Sequence, residues 1–357
     1  MASILRNIVT RYMRTNMVKY YKVAEDIERH PDAWCYLVVG GRSTGKTYNA
    51  LLDCLENKRT FFFIKRTIKD VDNLCKREKL NPFRAINRDT GRDIKLVPES
   101  EGFGYFQDEN EDVIGYVGAL SGIGKFTGFD LYDVDWLIFD EYIPRKWDRF
   151  LYAEGQMLLE LYMTVSRDRE LKGRKALKLI CLANATTLSN PVNDALQVTD
   201  TMADMMAAGD DIRYIKDREI VIHILQHSDV SEELKKTAFY KGVNGTKFGS
   251  MAFDNTFSND DFSLIGKQSL KGYRCRCKFV YQNQLYYLFK KGSYYYITKS
   301  LGNATKSYDL DSNIDQSIFY HEYGIDLHYA ILERKIIFES FSVYDLILNY
   351  KKHFKIS

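Results

Sequence analysis

The sequence predicts an α/β protein: a mostly parallel sheet covered by helices, then a small linker domain and an α+β C-terminal domain. Three observations carry this. Apolar runs at 34–39, 60–65, 113–120, 136–140 and 177–183 alternate with helical patterns at 45–57, 67–79 and 153–166, the rhythm of parallel strands joined by crossover helices. The first run leads into a glycine-rich turn, Gly40-Gly41-Arg42-Ser43-Thr44-Gly45-Lys46-Thr47. The fourth, Asp135–Glu141, ends in two carboxylates.

Residues 1–33 form a basic segment, in which Arg6, Arg11, Arg14, Lys19 and Lys22 are accompanied by no acid up to residue 22. It lacks the apolar core of a secretory signal and reads as a segment that touches a neighbour or DNA, or as a solvated helix. The stretch 34–208 holds the alternating elements. Within it the Gly40–Thr47 turn fits G-x-x-x-x-G-K-[ST] at every fixed position, between strand Trp34–Val39 and helix Tyr48–Leu55. That is a phosphate-binding loop. Its backbone N–H groups converge on phosphates, with a helix N-terminus behind them. Gly40 and Gly45 allow close approach, Lys46 reaches the β- and γ-phosphates, and the Thr47 hydroxyl holds Mg²⁺. ATP and Mg²⁺ are the expected cofactors.

The stretch 92–118 is short, Gly-punctuated and β-rich, as for an inserted hairpin or antiparallel edge. The run Asp135–Asp140 then carries Asp140 to the carboxyl edge of the sheet, where open α/β sheets bind ligands. There Asp140 is expected to hold Mg²⁺, and Glu141 to polarise the attacking water. The strand Leu179–Ala183 ends in Asn184. In phosphate-loop hydrolases with an additional strand beside the loop strand, this position senses the γ-phosphate; the alternative is a capped turn. Several cations are candidates to stabilise transition-state charge: Arg42 inside the loop, Arg167 and Arg169 at a helix end, and Lys125 in Gly122–Phe126.

From about 190 the alternation stops, and 190–212 carries a Met/Ala helix pattern. The linker, 209–256, has one strand (Glu219–Leu225) and one helix (Ser231–Phe239). In 257–357, the span 271–299 has seven Lys/Arg, no acid and interleaved Tyr and Phe, and reads as a three-stranded meander. Either it meets phosphates and bases, or its aromatics are core beneath a solvated basic face.

At 357 residues the chain accommodates two domains and a small third, and a net charge of +3 means any basic surface must be local. The six cysteines show no metal-binding spacing and read as free thiols of a reducing cytoplasm. No run approaches the roughly 18 apolar residues of a membrane span.

With these residues in view, the chain resembles the DNA-packaging ATPases of phi29-like tailed phages. The resemblance rests on Val38–Thr47, Leu137–Tyr142, Thr164–Glu170, Ile180–Ala185 followed by Asn190-Pro191, Lys236-Thr237, and Gly245–Phe257. It implies an additional-strand P-loop ATPase domain, a linker domain and a C-terminal domain resembling ribonuclease H. It further implies a homo-oligomeric ring, usually a pentamer, in the host cytoplasm. The ring docks on the portal of an empty procapsid and pumps double-stranded DNA inward; a structural RNA between motor and portal is left open. By position, Lys46, Thr47 and Asp140 serve phosphate and Mg²⁺, and Glu141 is the catalytic carboxylate. Arg167 matches the intersubunit arginine, and Lys125 falls near a basic residue acting in trans.

A nuclease of that C-terminal type needs carboxylates converging on two metals about 4 Å apart. Tyr273–Tyr281 has none, and Asp309, Asp311 and Asp315 follow in a polar loop. The expectation is a nuclease-dead domain that binds nucleic acid or portal. Lys65, Arg66, Lys69, Arg274, Arg276 and Lys278 are the expected DNA contacts. The competing readings are a terminase with an active nuclease, a small-molecule kinase and a non-hydrolysing portal adaptor.

Overall fold

The computed structural model describes residues 19–128, 131–145, 148–226, 229–246 and 262–349, with side chains up to 124 in the first span. Most of the Gly245–Phe257 signature lies outside them, as does the segment 1–18. The chain divides into two compact units, 1–187 with 205–258, and 188–204 with 259–357.

In the first unit, helix α1 (Val23–Arg29) precedes β1 (Cys35–Gly40), α2 (Lys46–Glu56), β2 (Phe61–Lys65), α3 (Ile68–Lys76), α4 (Arg84–Thr90), β3 (Lys95–Ser100), β4 (Phe103–Gln107), β5 (Val113–Ala119), β6 (Trp136–Asp140), α5 (Glu154–Ser166), β7 (Lys178–Ala183), β8 (Ile212–Ile215) and β9 (Ile220–Leu225). The strands form one nine-stranded sheet in the order β3-β4-β5-β2-β6-β7-β1-β9-β8. From β5 to β9 every neighbouring pair is parallel. All six residues of β1 are buried, as a strand covered on both faces requires. Its side chains Tyr36 and Val38 pack with Ala50, Leu51, Phe61, Phe63, Ile138 and Ile180. β7 lies between loop strand β1 and acidic strand β6, so the additional strand is present. β3 and β4 add antiparallel to β5, as 92–118 predicts. Pro98 is tolerated because β3 is an edge strand.

Three boundaries differ from expectation, the third of them in the second unit. The strand assigned to a linker domain at 209–256 is β9, which pairs parallel with β1 over its whole length, and β8 pairs antiparallel outside it. Ile220–Leu225 is nearly all apolar and buried, and the natural home of such a run is a covered parallel sheet. Part of the 1–33 segment is also built in. The Tyr21 N–H donates to Thr44 O in the phosphate loop at 3.0 Å, and Tyr21 Oη and His223 Nδ1 both meet the buried Asp26 carboxylate at 2.7 Å.

The second unit carries β10 (Arg274–Tyr281), β11 (Gln284–Lys291), β12 (Tyr294–Thr298), β13 (Ser307–Asp309) and β14 (Ile336–Phe338). They form a five-stranded sheet in the order β13-β10-β11-β12-β14. β10–β12 make the expected antiparallel meander. Its first turn, Gln282-Asn283, has both φ angles positive (50° and 59°), the geometry that matches strand twist in two-residue hairpins. β13 joins parallel to β10, and β14 parallel to β12. Residues 188–204, expected to close the ATPase domain, belong here. The Asp200 carboxylate accepts from Ser340 Oγ (2.7 Å), Ser342 N (2.9 Å) and Ser342 Oγ (3.0 Å), capping the start of helix Phe341–Leu348. Ser189 Oγ donates to Asp345 at 2.6 Å. Among the described residues, no helix is long and apolar enough to cross a membrane.

Candidate nucleotide-binding site

The glycine-rich turn joins β1 to α2 at the carboxyl edge of the parallel strands. Gly45 sits at φ 88°, and a Cβ there would lie 2.9 Å from Asn49 Nδ2 and 3.0 Å from the Tyr20 side chain. Gly40 is needed for another reason: a Cβ on it would come within 2.7 Å of Leu225 Cβ on neighbouring β9. A cavity of about 260 Å³ opens here, lined by Ser43–Tyr48, Asp140, Glu141, Leu182, Ala183 and Asn184.

Lys46 is buried, and its ammonium is turned onto the loop: Nζ donates to Gly41 O (2.7 Å), Thr44 Oγ1 (3.0 Å) and Gly40 O (3.2 Å). Burial lowers its pKa to about 8, against the raising influence of Asp140. The folded pKa lies below the unfolded one, so burial disfavours the charged form, and that penalty fades as pH rises above 8. Phosphate contact favours the charged form. Nucleotide affinity should therefore fall, and proton uptake on binding should appear, as pH rises through about 8. Calorimetric titration at pH 7 and 9 in buffers of different ionisation enthalpy measures both; equal proton uptake at the two pH values would contradict it.

Thr47 Oγ1 donates to Asp140 Oδ1 at 2.7 Å, joining the phosphate loop to the acidic strand. This alcohol and carboxylate are the hard oxygen donors that Mg²⁺ takes. No group of three or more His, Cys, Asp or Glu among the described residues could hold a metal. The donor set fits an ion that keeps waters and shares nucleotide phosphates. Glu141 follows at φ 58°, outside regular strand geometry. Its carboxylate meets Arg145 Nη2 at 3.4 Å, both side chains being about half exposed. Asn184 lines the cavity at the end of β7.

Other expected positions are not brought into the cavity. Arg42 is exposed and absent from the lining. Arg167 is exposed at the C-terminus of α5, where its Nε donates to Thr164 O at 3.2 Å. Arg169 is buried and holds the chain around β6, with bonds to Lys175 O, Val134 O and Asp135 Oδ1; it is a clamp, not a finger. The Lys125 side chain lies outside the described residues.

Among the expected DNA contacts, Lys65 and Arg66 are corrected. Lys65 Nζ pairs with Asp140 Oδ2 at 2.8 Å. Arg66 Nε donates to both carboxylate oxygens of the fully buried Glu154 (2.9 and 3.0 Å), and its Nη2 donates to Glu141 O (3.0 Å) and Tyr142 O (2.9 Å). Both face the sheet edge. Lys69, Arg274 and Arg276 are exposed and Lys278 is half-buried. The meander's aromatics are core: Phe279, Tyr281, Tyr286, Tyr287, Phe289, Tyr295 and Tyr296 are buried, and Tyr294 is the well-exposed ring. The buried rings are packing residues and do not offer faces for base stacking.

Asp309, Asp311 and Asp315 cap turns. Asp311 accepts from Gln282 N (3.0 Å) and Asn283 N (3.4 Å), Asp315 from Asp309 N (2.8 Å), and Asp309 from Asp311 N (3.0 Å).

Three features escaped sequence reading: the Lys65–Asp140 pair, the Arg145–Glu141 pair, and an exposed cationic run on 76–95. In that run Lys76, Arg77, Lys79, Arg84, Arg88, Arg92 and Lys95 are all exposed. The run was visible as local charge density. The Arg145–Glu141 pair is local, four residues apart, and only the Lys65–Asp140 pair needed the strand order.

A family profile described as podovirus DNA encapsidation protein (Gp16) matches residues 20–315. The DNA packaging protein of Bacillus phage B103 is 26% identical over 244 residues, covering 65% of this chain and 67% of that protein. That of Bacillus phage PZA is 31% identical over 138 residues, 38% of each chain. Among solved structures, the bacteriophage Phi-29 viral genome packaging motor assembly aligns with 93% of this chain and 98% of its own (TM-score 0.63, 22% identity). The Phi-28 gp11 DNA packaging motor aligns with 93% and 99% (TM-score 0.62, 19% identity). These two likenesses show the fold.

Proposed function

The chain belongs to the podovirus DNA encapsidation protein (Gp16) family and is a phage DNA-packaging motor protein, and from that premise we propose that it hydrolyses ATP at the Gly40–Asp140 edge to drive double-stranded DNA into a procapsid. The observation that carries the chemistry is the 2.7 Å hydrogen bond between Thr47 and Asp140, which unites the phosphate loop and the acidic strand in one cavity.

In this reading the loop amides and Lys46 bind the β- and γ-phosphates. Thr47 and Asp140 hold Mg²⁺, whose chemistry is to neutralise developing charge on the phosphoryl oxygens. Glu141 takes the proton of the attacking water. Asn184, on the additional strand, orients that water or the γ-phosphate. Arg167, exposed and outside the cavity, acts from a neighbouring subunit, and Lys125 is assigned beside it. Such a trans contact is head-to-tail, and head-to-tail contacts close into rings; the proposed assembly is a ring, a pentamer by resemblance. It docks at the procapsid portal, in the host cytoplasm, with a structural RNA as a further component. The C-terminal domain is read as ribonuclease H-like and nuclease-dead, since its candidate carboxylates already cap backbone turns.

DNA contact is proposed for Lys69, Arg274, Arg276 and Lys278 and for the exposed run on 76–95, all phosphate-directed as a sequence-blind pump requires. Affinity for a mixed-sequence duplex should fall steeply with salt. Arg274→Gln with Arg276→Gln should reduce the salt slope by roughly one per lost contact; an unchanged slope removes these residues from the interface. The test of the whole reading is ATP turnover with and without duplex DNA. Stimulation by DNA supports the motor, and indifference points to a kinase or a nucleotide-ordered adaptor.

A further inference from the structure

Both carboxylate oxygens of Asp140 are occupied. Oδ1 accepts from Thr47 Oγ1 at 2.7 Å, and Oδ2 accepts from Lys65 Nζ at 2.8 Å. The fold builds this second contact in. β2 and β6 are parallel neighbours in register through Ile64 and Phe139, so the next residue of each, Lys65 and Asp140, emerge side by side at the carboxyl edge. The other lysine of the site is committed elsewhere, with Lys46 Nζ on the loop carbonyls and Thr44.

We infer that Lys65 is a place-holding cation: it neutralises Asp140 while the site is empty and gives up that carboxylate when Mg²⁺-nucleotide binds. The inference rests on the nucleotide reading above. Mg²⁺ held by Thr47 and Asp140 would sit within a few ångströms of the Lys65 ammonium, and two cations at that distance repel strongly in a part-buried site. The pair is made to open. Lys65 and Asp140 are 17% and 16% exposed, and Lys65 holds one acceptor through a flexible stem. The adjacent Arg66 shows the contrasting case: it holds four acceptors around a carboxylate that is fully buried. Once released, Lys65 exchanges one anion for another, because the nucleotide delivers phosphate oxygens to the same cavity. Metal binding without nucleotide is then disfavoured, since the displaced ammonium has no such replacement.

The test is Mn²⁺ binding to the full chain, followed by electron paramagnetic resonance, without nucleotide. Lys65→Met leaves Asp140 unpaired, and Mn²⁺ should bind roughly tenfold tighter or more than to wild type. Lys65→Arg replaces the point charge with a bidentate fork that never deprotonates, so Mn²⁺ should bind more weakly than to wild type. The second variant keeps the charge balance, so the inference stays testable if the first folds poorly. Unchanged Mn²⁺ affinity in Lys65→Arg and in folded Lys65→Met overturns the inference alone, provided wild type binds Mn²⁺ with a non-hydrolysable ATP analogue. Failure of wild type to bind that complex overturns the nucleotide reading and this inference with it.

Discussion

Glu141→Gln is expected to lower ATP turnover by roughly 10²–10⁴-fold, the usual range for losing a positioned general base, while Mg²⁺-nucleotide still binds. The division of labour between the two adjacent carboxylates is the reason. Asp140 has one partner on each oxygen, Thr47 and Lys65, so its work is to hold charge at a fixed place. Glu141 has the looser Arg145 contact of 3.4 Å and is about half exposed, so it is the carboxylate placed to accept a proton. Its positive φ turns it out of the strand direction that β6 sets. Asp140→Asn should do the opposite, weakening Mg²⁺-dependent binding of a non-hydrolysable analogue. Turnover and analogue affinity measured on both variants separate the roles. If Glu141→Gln keeps wild-type turnover, another group activates the water, and the assignment of the base fails.

The core of this arrangement was legible because each half is written locally. A phosphate loop is eight consecutive residues with a strand before and a helix after, and Asp140-Glu141 closes an apolar run; neither depends on distant chain. What was illegible depends on strand order. Lys65 and Arg66 follow an apolar strand, and by sequence they look like cations starting a solvated helix. Only the adjacency of β2 and β6, whose paired residues lie 75 apart, turns them inward. The same holds for Ile220–Leu225: the run was recognised as a strand, but its place beside β1 is a long-range pairing that the broken helix–strand rhythm hid. Residues 188–204 mislead for the converse reason, since the Asp200 partners Ser340 and Ser342 lie 140 and 142 residues away. In the meander, alternating Tyr and Lys/Arg fits a nucleic-acid face and a half-buried sheet equally well. The buried rings show that the Tyr and Phe belong to the sheet's core, and the cations alone are left to face a nucleic acid.

Arg66→Met should be the most destabilising of the single changes considered, by about 3–5 kcal/mol, the range for stranding one member of a buried ion pair. For a unit of this size that corresponds to a melting temperature lower by roughly 10 °C. Glu154 is fully buried, and besides Arg66 it accepts from Leu151 N at 2.9 Å, so its charge cannot turn to water when the guanidinium is removed. Lysine is a poor substitute, because a single ammonium cannot span both carboxylate oxygens and the carbonyls of Glu141 and Tyr142. Those carbonyls give the prediction a second readout. Arg66 pins the backbone directly after Glu141, so whatever Arg66→Met protein remains folded should turn over more slowly at unchanged analogue affinity. Removing both charges, as in Arg66→Met with Glu154→Gln, should recover part of the stability but not the turnover, since the carbonyls stay unheld. Thermal unfolding of the cycle, with turnover at a temperature where all variants are folded, tests both. A DNA-contact residue would behave differently: stability would hold and duplex affinity would drop, and that outcome would return Arg66 to the surface.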